Sequence, residues 1–287
     1  MSLGLNKTKR RIASVKSTQK ITKAMGMIAS VKLKRCKDRF DKSVAYRDEL
    51  NKLVAKCFHY SKNPSSSLTE PKEDAKGTLY IIITSNLGLC AGYNSNLLKY
   101  ARTLIRPEED ELLLIGEKGK HHFSRDEAYA SSIIELDNIG LGLTYRECSH
   151  FASQLLALWK EKSYESICLI YTHYVNSLSF EPASAKILPI PPVSELPEYE
   201  SYSPPIFEPK ADEVLEQLLP YYLTGVFYNY LSESELSEQS SRRMAMDNAN
   251  DNADELLEKL TIEYNKARQT AITQEIVEVV SGSNAAQ

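Results

Sequence analysis

Helix breakers are missing from both ends of this chain. Before Pro64 there is no proline and only two glycines, Gly4 and Gly26, and the 56 residues from Val226 to Ser281 contain neither type. A glycine costs a helix interior about 1 kcal/mol and a proline about 3, so both ends are free to form very long helices. If helical throughout, the second run would measure about 84 Å at about 1.5 Å per residue. A compact body of 287 residues has no interior that long, so a projecting rod is expected. Cysteines are few and scattered (Cys36, Cys57, Cys90, Cys148, Cys168) with no C-x-x-C pair. That argues against a disulfide framework or a zinc site and suits a reducing compartment. No apolar run approaches the roughly 20 residues needed to span a bilayer.

Two further absences concern the N-terminus. Residues 1–37 hold eleven Lys or Arg and no acid, and the first aromatic residue is Phe40. Such a basic stretch could footprint nucleic acid or anionic lipid, but it offers no stacking platform and no interfacial anchor. No nucleic-acid partner is expected. An acid-free start also resembles an organelle transit peptide. Here an Arg/Ser-rich bias is missing and the helical pattern runs on unbroken, so no cleavage is expected.

The remaining composition is ordinary for a folded protein, with 42% hydrophobic and 25% charged residues and a net charge of −3. Its distribution is not ordinary. Residues 233–263 carry nine acids against three bases, the opposite of the N-terminus. Met246, Ala249, Ala253, Leu256 and Leu260 follow 3-4-3-4 spacing, a coiled-coil seam that drifts on through Tyr264, Ala267 and Ala271. Ile21, Met25 and Ile28 form a shorter stripe at the other end, followed more loosely by Val31, Cys36 and Phe40. Antiparallel pairing of the two ends sets basic beside acidic. Exposed ion pairs contribute only about 0–1 kcal/mol each, so their value lies in choosing partner and orientation.

Two polar linkers frame the middle, residues 62–77 and the proline-rich stretch 189–209, which holds seven of the twelve prolines. Pro220 is expected in the first turn of the long helix. Between the linkers, strands at Leu79–Thr84, Leu112–Ile115, Ala130–Ile134 and Ile167–Thr172, with a weaker one at Ala185–Ile190, alternate with helices at Ser95–Ile105 and Tyr145–Lys162. That alternation predicts a mostly parallel, doubly wound sheet. The fold expected is therefore α/β: an antiparallel coiled coil of long terminal helices, residues 1–61 and 210–287, around an inserted Rossmann-like domain at 78–190.

A fold of that kind invites a nucleotide-site reading of the turn after the first strand, Ser85–Asn96. It matches neither G-x-G-x-x-G nor G-x-x-x-x-G-K-[ST], and no lysine sits where a phosphate would need one. Gly88 and Gly92 then supply positive φ or close packing, with Asn94 or Ser95 as the helix N-cap. His121 and His122 are adjacent and point to different faces, a poor metal geometry. No G-x-S-x-G elbow or H-E-x-x-H helix occurs. No catalytic residue, metal or cofactor is expected.

Two segments carry a resemblance: KTKRRIASVKSTQKITKAMGMIASVKLKR from Lys7 to Arg35, and SRRMAMDNANDNADELLEKLTIEYNKARQTAITQEIVEVVSG from Ser241 to Gly282. Together with the turn bearing Gly88, Leu89, Cys90, Tyr93 and Asn94, they resemble the gamma subunits of F-type ATP synthases. In that family the turn reads closer to S-D-R-G-L-C-G-G, so Asn86, Leu87 and Ala91 depart from it. The cysteine pair of the thiol-regulated chloroplast members is absent. The resemblance implies a non-catalytic rotor shaft standing inside a ring of alpha and beta subunits, with the α/β domain meeting the epsilon subunit and the membrane ring of c subunits. It also implies a peripheral place on the cytoplasmic face of a bacterial inner membrane. By the same resemblance Lys20, Lys23 and Met25 face an acidic beta-subunit lever. Arg268, Gln269 and Thr273 touch beta-subunit loops, Arg242 and Glu275 bridge the two ends of the mechanism, and Ile276, Val279 and Val280 form an apolar tip. The competing readings are a coiled-coil scaffold unrelated to energy conversion and a Rossmann-type enzyme with a ligand at Gly88–Asn94.

Overall fold

A computed structural model of the chain describes residues 2–61, 68–70, 75–136, 142, 144–190 and 206–285. Two helices dominate it: α1 spans Ser2–Tyr60 and α6 spans Ala211–Ala285. Pro220 lies inside α6 as its tenth residue, not in the first turn. The missing N–H and ring clash there cost about 3 kcal/mol. Burial of Leu215, Leu219, Tyr222 and Leu223 around it supplies the offset. The linker at 62–77 is described only in part, and most of 189–209 lies outside the described residues.

The chain divides into two compact units, residues 1–30 with 242–287, and residues 31–241. In the first, the ends of α1 and α6 pair antiparallel. Gln19 Nε2 donates to Asp254 Oδ1 at 2.6 Å and Thr22 Oγ1 donates to Asn250 Oδ1. Gly26 lies against Met246, whose Cβ would sit 3.4 Å from an added Cβ. The seam on α1 runs through Leu5, Thr8, Ile12, Val15, Gln19, Thr22, Gly26 and Ala29, an unbroken 3-4 alternation. This corrects the expected stripe: Ile21 and Ile28 are 59% and 58% exposed, and only Met25 is half-buried. On α6, Met246 and Leu260 are buried, but Leu256 is exposed and Leu257 takes the inward place. Two polar pairs and a glycine share the seam with Leu5, Ile12, Val15 and Ala29, and that phase leaves Ile21 and Ile28 outside.

The second unit is built on a five-stranded sheet in the order β3-β2-β1-β4-β5. Its strands are β1 (Thr78–Ile83), β2 (Glu111–Ile115), β3 (Ile133–Ile134), β4 (Ser166–Tyr174) and β5 (Phe180–Leu188). The first four are parallel, and β5 returns antiparallel along β4 for nine residues, a longer strand than its sequence promised. Alternate residues serve opposite faces. Leu79, Ile81, Ile83, Leu113 and Ile115 pack under α5 (Tyr145–Glu161) and the parts of α1 and α6 near Val54 and Phe227. Ile82, Leu112, Leu114 and Ile170 face α2 (Tyr93–Leu104), α3 (Glu117–Phe123) and α4 (Glu127–Ala130). The last two helices had no counterpart in the pattern. Each is under two turns, and α4 occupies the start of the strand expected at Ala130–Ile134. Helix α5 opens on a capping box, with Thr144 and Glu147 each bonding the other's backbone N–H.

Candidate partner-binding surfaces

The turn after β1 is rigid by construction. Asn94 Oδ1 accepts from the Ser85 backbone N–H at 3.0 Å, and its Nδ2 donates to Ser85 Oγ at 2.7 Å and reaches Cys90 Sγ at 3.2 Å. Asn94 is therefore a brace within the turn, and neither it nor Ser95 caps α2. The N-cap is Gly92, with no side-chain cap. Positive φ falls on Leu89 (61°) and Ala91 (44°), not on Gly88 or Gly92. An added Cβ at Gly92 would meet only the exposed Asn96 side chain, Nδ2 at 3.0 Å, which can swing aside. Of the departures, Asn86 accepts the Glu117 N–H at 3.2 Å and ties the turn to α3, while Leu87 stands exposed.

In doubly wound folds small ligands sit outside the carboxyl ends of the strands, where the strand order reverses. Here that place, beside the ends of β1 and β4, is filled by the chain itself. Tyr93 Oη and Ser234 Oγ are 2.8 Å apart, and Tyr93 Oη also donates to the Ser234 carbonyl at 3.2 Å. Ser241 Oγ donates to the Cys90 carbonyl at 2.7 Å, and Ser237 Oγ to the Thr172 carbonyl at 3.1 Å. The Glu233 carboxylate accepts the Tyr174 N–H at 3.1 Å and lies 2.5 Å from His173 Nδ1. Burial, and next the field of Glu238, pushes the Tyr93 phenol far above its ordinary range. A run of small hydroxyls on α6, Ser232 to Ser241, is thus buried against the sheet. Serine in a helix ordinarily reads as a solvated face, which hides this run in the sequence. Spacing was the available signal: Ser234, Ser237 and Ser241 recur at 3 and 4.

The terminal pair presents the other expected residues. Lys20 and Lys23 are exposed, and among the described residues no carboxylate lies within 4 Å of either. Arg268, Gln269, Thr273 and Glu275 are exposed, with Thr273 Oγ1 donating to its own helix at the Gln269 carbonyl. Arg242 is buried. Residues 272–281 of α6 are all exposed, including Ile276 at 58% and Val279 at 72%, with Val280 beside them. Among the described residues, no group of three or more His, Cys, Asp or Glu is arranged to hold a metal ion, and no helix is long and apolar enough to cross a membrane. All five cysteines are free, and burial pushes the Cys36 thiol up to about 11 and the Cys148 thiol up to about 12.

The profile of the ATP synthase family matches residues 4–286. The ATP synthase gamma chain of Heliobacterium modesticaldum is 35% identical over 291 residues, covering 98% of this chain and 99% of that one. This chain belongs to the ATP synthase gamma chain family. The gamma chain of Pelagibacter ubique is similar to the same degree, 35% over 289 residues, with 97% and 98% covered. In solved structures the fold recurs in the rotor of Euglena gracilis mitochondrial ATP synthase, with a TM-score of 0.66 at 17% identity over 95% of this chain and all of that one. It recurs again in the central stalk and c-ring structure of Tetrahymena thermophila mitochondrial ATP synthase, with a TM-score of 0.54 at 26% identity, covering 80% of this chain and 99% of that one. Family members thus share the long terminal helices flanking a sheet, and the fold class read from the sequence holds.

Proposed function

We propose that this chain is the central rotor shaft of an F-type ATP synthase, carrying torque between a proton-driven membrane ring and a catalytic ring of alpha and beta subunits. The observation that supports it best is full-length likeness to gamma chains together with a paired helical end whose α1 exposes lysines and arginines and whose tip is apolar and uncovered. The chain itself holds no catalytic group in this reading, and chemistry belongs to its partners. Its place is peripheral, on the cytoplasmic face of a bacterial inner membrane, with the epsilon subunit and the c ring as further partners.

Each surface has a physical part to play. Lys20 and Lys23, exposed and with no carboxylate within 4 Å among the described residues, complement an acidic lever on beta, with Met25 alongside. Arg268, Gln269, Thr273 and Glu275 offer exposed polar groups to beta loops. Arg242, being buried, acts by holding the shaft's geometry. Ile276, Val279 and Val280 would turn within an apolar sleeve, where the absence of directional bonds leaves little resistance to rotation. A coiled-coil tether has no use for such a tip, and likeness over nearly the whole length of gamma chains disfavours it.

Co-expression with alpha, beta and epsilon subunits tests the proposal. Affinity capture of this chain should bring down all three with ATPase activity. Capture without alpha and beta, or of an inactive assembly, would overturn it.

A further inference from the structure

Within the second unit, α1, the first residue of α5 and α6 line a pocket of about 620 Å³. Its apolar side is a row of three tyrosines. The Tyr46 and Tyr145 rings stand edge to face, centroids 5.7 Å apart and planes at 86°, and Tyr145 and Tyr228 repeat the arrangement at 5.7 Å and 74°. The Tyr46 and Tyr145 hydroxyls lie 3.2 Å apart. Burial, and next the Tyr46 hydroxyl, pushes the Tyr145 phenol above its ordinary range, so this ring carries no charge at neutral pH.

The charged side belongs to α1. Arg35, Arg39, Lys42 and Tyr46 recur at 4, 3 and 4 and share one helix face. Arg39 is already paired: its Nη2 donates to the Glu235 carboxylate and reaches Cys36 Sγ at 3.8 Å. Arg35 and Lys42 are exposed, and among the described residues neither has a carboxylate within 4 Å. Asp38 stands between them in sequence, exposed and with no cation within 4 Å among the described residues. With Arg39 neutralised by Glu235, two cations against one carboxylate leave a net charge of +1 around the pocket.

We propose that this pocket binds a small monoanionic aromatic compound, an aryl carboxylate. Its volume is that of a small-molecule site, which runs from about 300 to about 1,000 Å³. Three tyrosines call for a ring, because a further ring continues the edge-to-face packing already present. The net charge calls for one negative group. Arg35 and Lys42 lie about 10 Å apart along the axis, and side chains of their length can converge on a carboxylate between them by charge-assisted bonds. Asp38 repels a polyphosphate more than a single carboxylate. A ligand seated there touches α1, α5 and α6 together and stabilises the folded chain that binds it.

The test uses the full-length chain and 4-benzoylbenzoate, a photoreactive aryl carboxylate. On irradiation it should attach to peptides carrying Tyr46, Tyr145 or Tyr228 in the unaltered chain, and the melting temperature should rise with its concentration. By calorimetry, Arg35→Gln/Lys42→Gln and Tyr46→Ala should each weaken binding about tenfold. Asp38→Asn should strengthen it about threefold. All four side chains are exposed, so the fold should survive each change, and circular dichroism checks that it does. Equal affinity for the uncharged 4-benzoylbenzyl alcohol would overturn the proposal. Attachment confined to the apolar end of α6, or displacement of the probe by ATP at a lower concentration than by unlabelled benzoate esters' parent acids such as 2-naphthoate, would overturn it equally.

Discussion

The hydroxyl contact between Tyr93 and Ser234 joins α6 to the sheet domain and can be tested on its own. Tyr93 is 2% exposed and Ser234 fully buried, so neither hydroxyl can turn to water when its partner is removed. Tyr93→Phe deletes the contacts to Ser234 Oγ and to the Ser234 carbonyl. Leaving a buried polar group unsatisfied costs about 1–3 kcal/mol. The lower half of that range applies, because a helical serine can turn its hydroxyl to the carbonyl four residues back. Ser234→Ala alone should cost less, since the Tyr93 hydroxyl keeps the Ser234 carbonyl. The double variant removes both hydroxyls, so it should be more stable than additivity predicts, by about 0.5–1.5 kcal/mol. Urea unfolding of all four proteins by circular dichroism measures the cycle. Additivity within about 0.3 kcal/mol would show that the contact carries no energy, and the view of α6 as bonded into the crevice would fail with it.

Other perturbations follow from the same geometry. Gly225→Ala gains about 1 kcal/mol of helix propensity, but its Cβ would lie 2.6 Å from Leu50 Cδ1 and 3.2 Å from Tyr46 Cε1, so overpacking should make the variant less stable by up to about 2 kcal/mol. Gly26→Ala meets Met246 Cβ only at 3.4 Å and should be neutral or stabilising; thermal melts that rank the two the other way would contradict the packing. The raised Tyr93 pKa keeps its proton in the folded chain while the unfolded chain loses one above about pH 10, so stability should fall as pH rises past that point, by up to about 1.4 kcal/mol per pH unit. Tyr93→Phe should flatten that slope by an amount that rises towards one proton as the pH goes from 9 to 11 in urea titrations. Lys20→Glu/Lys23→Glu should leave the fold intact, since both side chains are exposed, and should uncouple ATP hydrolysis from proton pumping in the assembled enzyme; full coupling would assign those lysines to a merely solvated face.

The long helices and the alternating middle were legible because Pro and Gly act locally, through backbone dihedrals and missing donors. What escaped was set by neighbours distant in sequence. Gln19 and Thr22 read as surface residues, yet they sit in the seam because Asp254 and Asn250 stand opposite. Ile21 and Ile28 read as seam residues, yet they face outward, and hydrophobicity cannot tell a face meant for the same chain from one meant for another. Leu89 and Ala91 take positive φ beside two glycines that do not, because Asn94 and Ser85 bind the turn from within. Of the expected site residues, Lys20, Lys23, Arg268, Gln269, Thr273 and Glu275 are exposed, while Arg242 is enclosed.

Filling the strand-end crevice with α6 has a mechanical consequence. A bound cofactor would have to be held by reversible contacts, and any twist applied to the helix could work it loose. A length of the same polypeptide seated there cannot dissociate. Load entering along the helix is therefore shared among bonds to Tyr93 on α2, to the Cys90 carbonyl in the turn and to Thr172 and Tyr174 on β4, none of which depends on the concentration of a small molecule. The strand-end crevice serves as an anchorage.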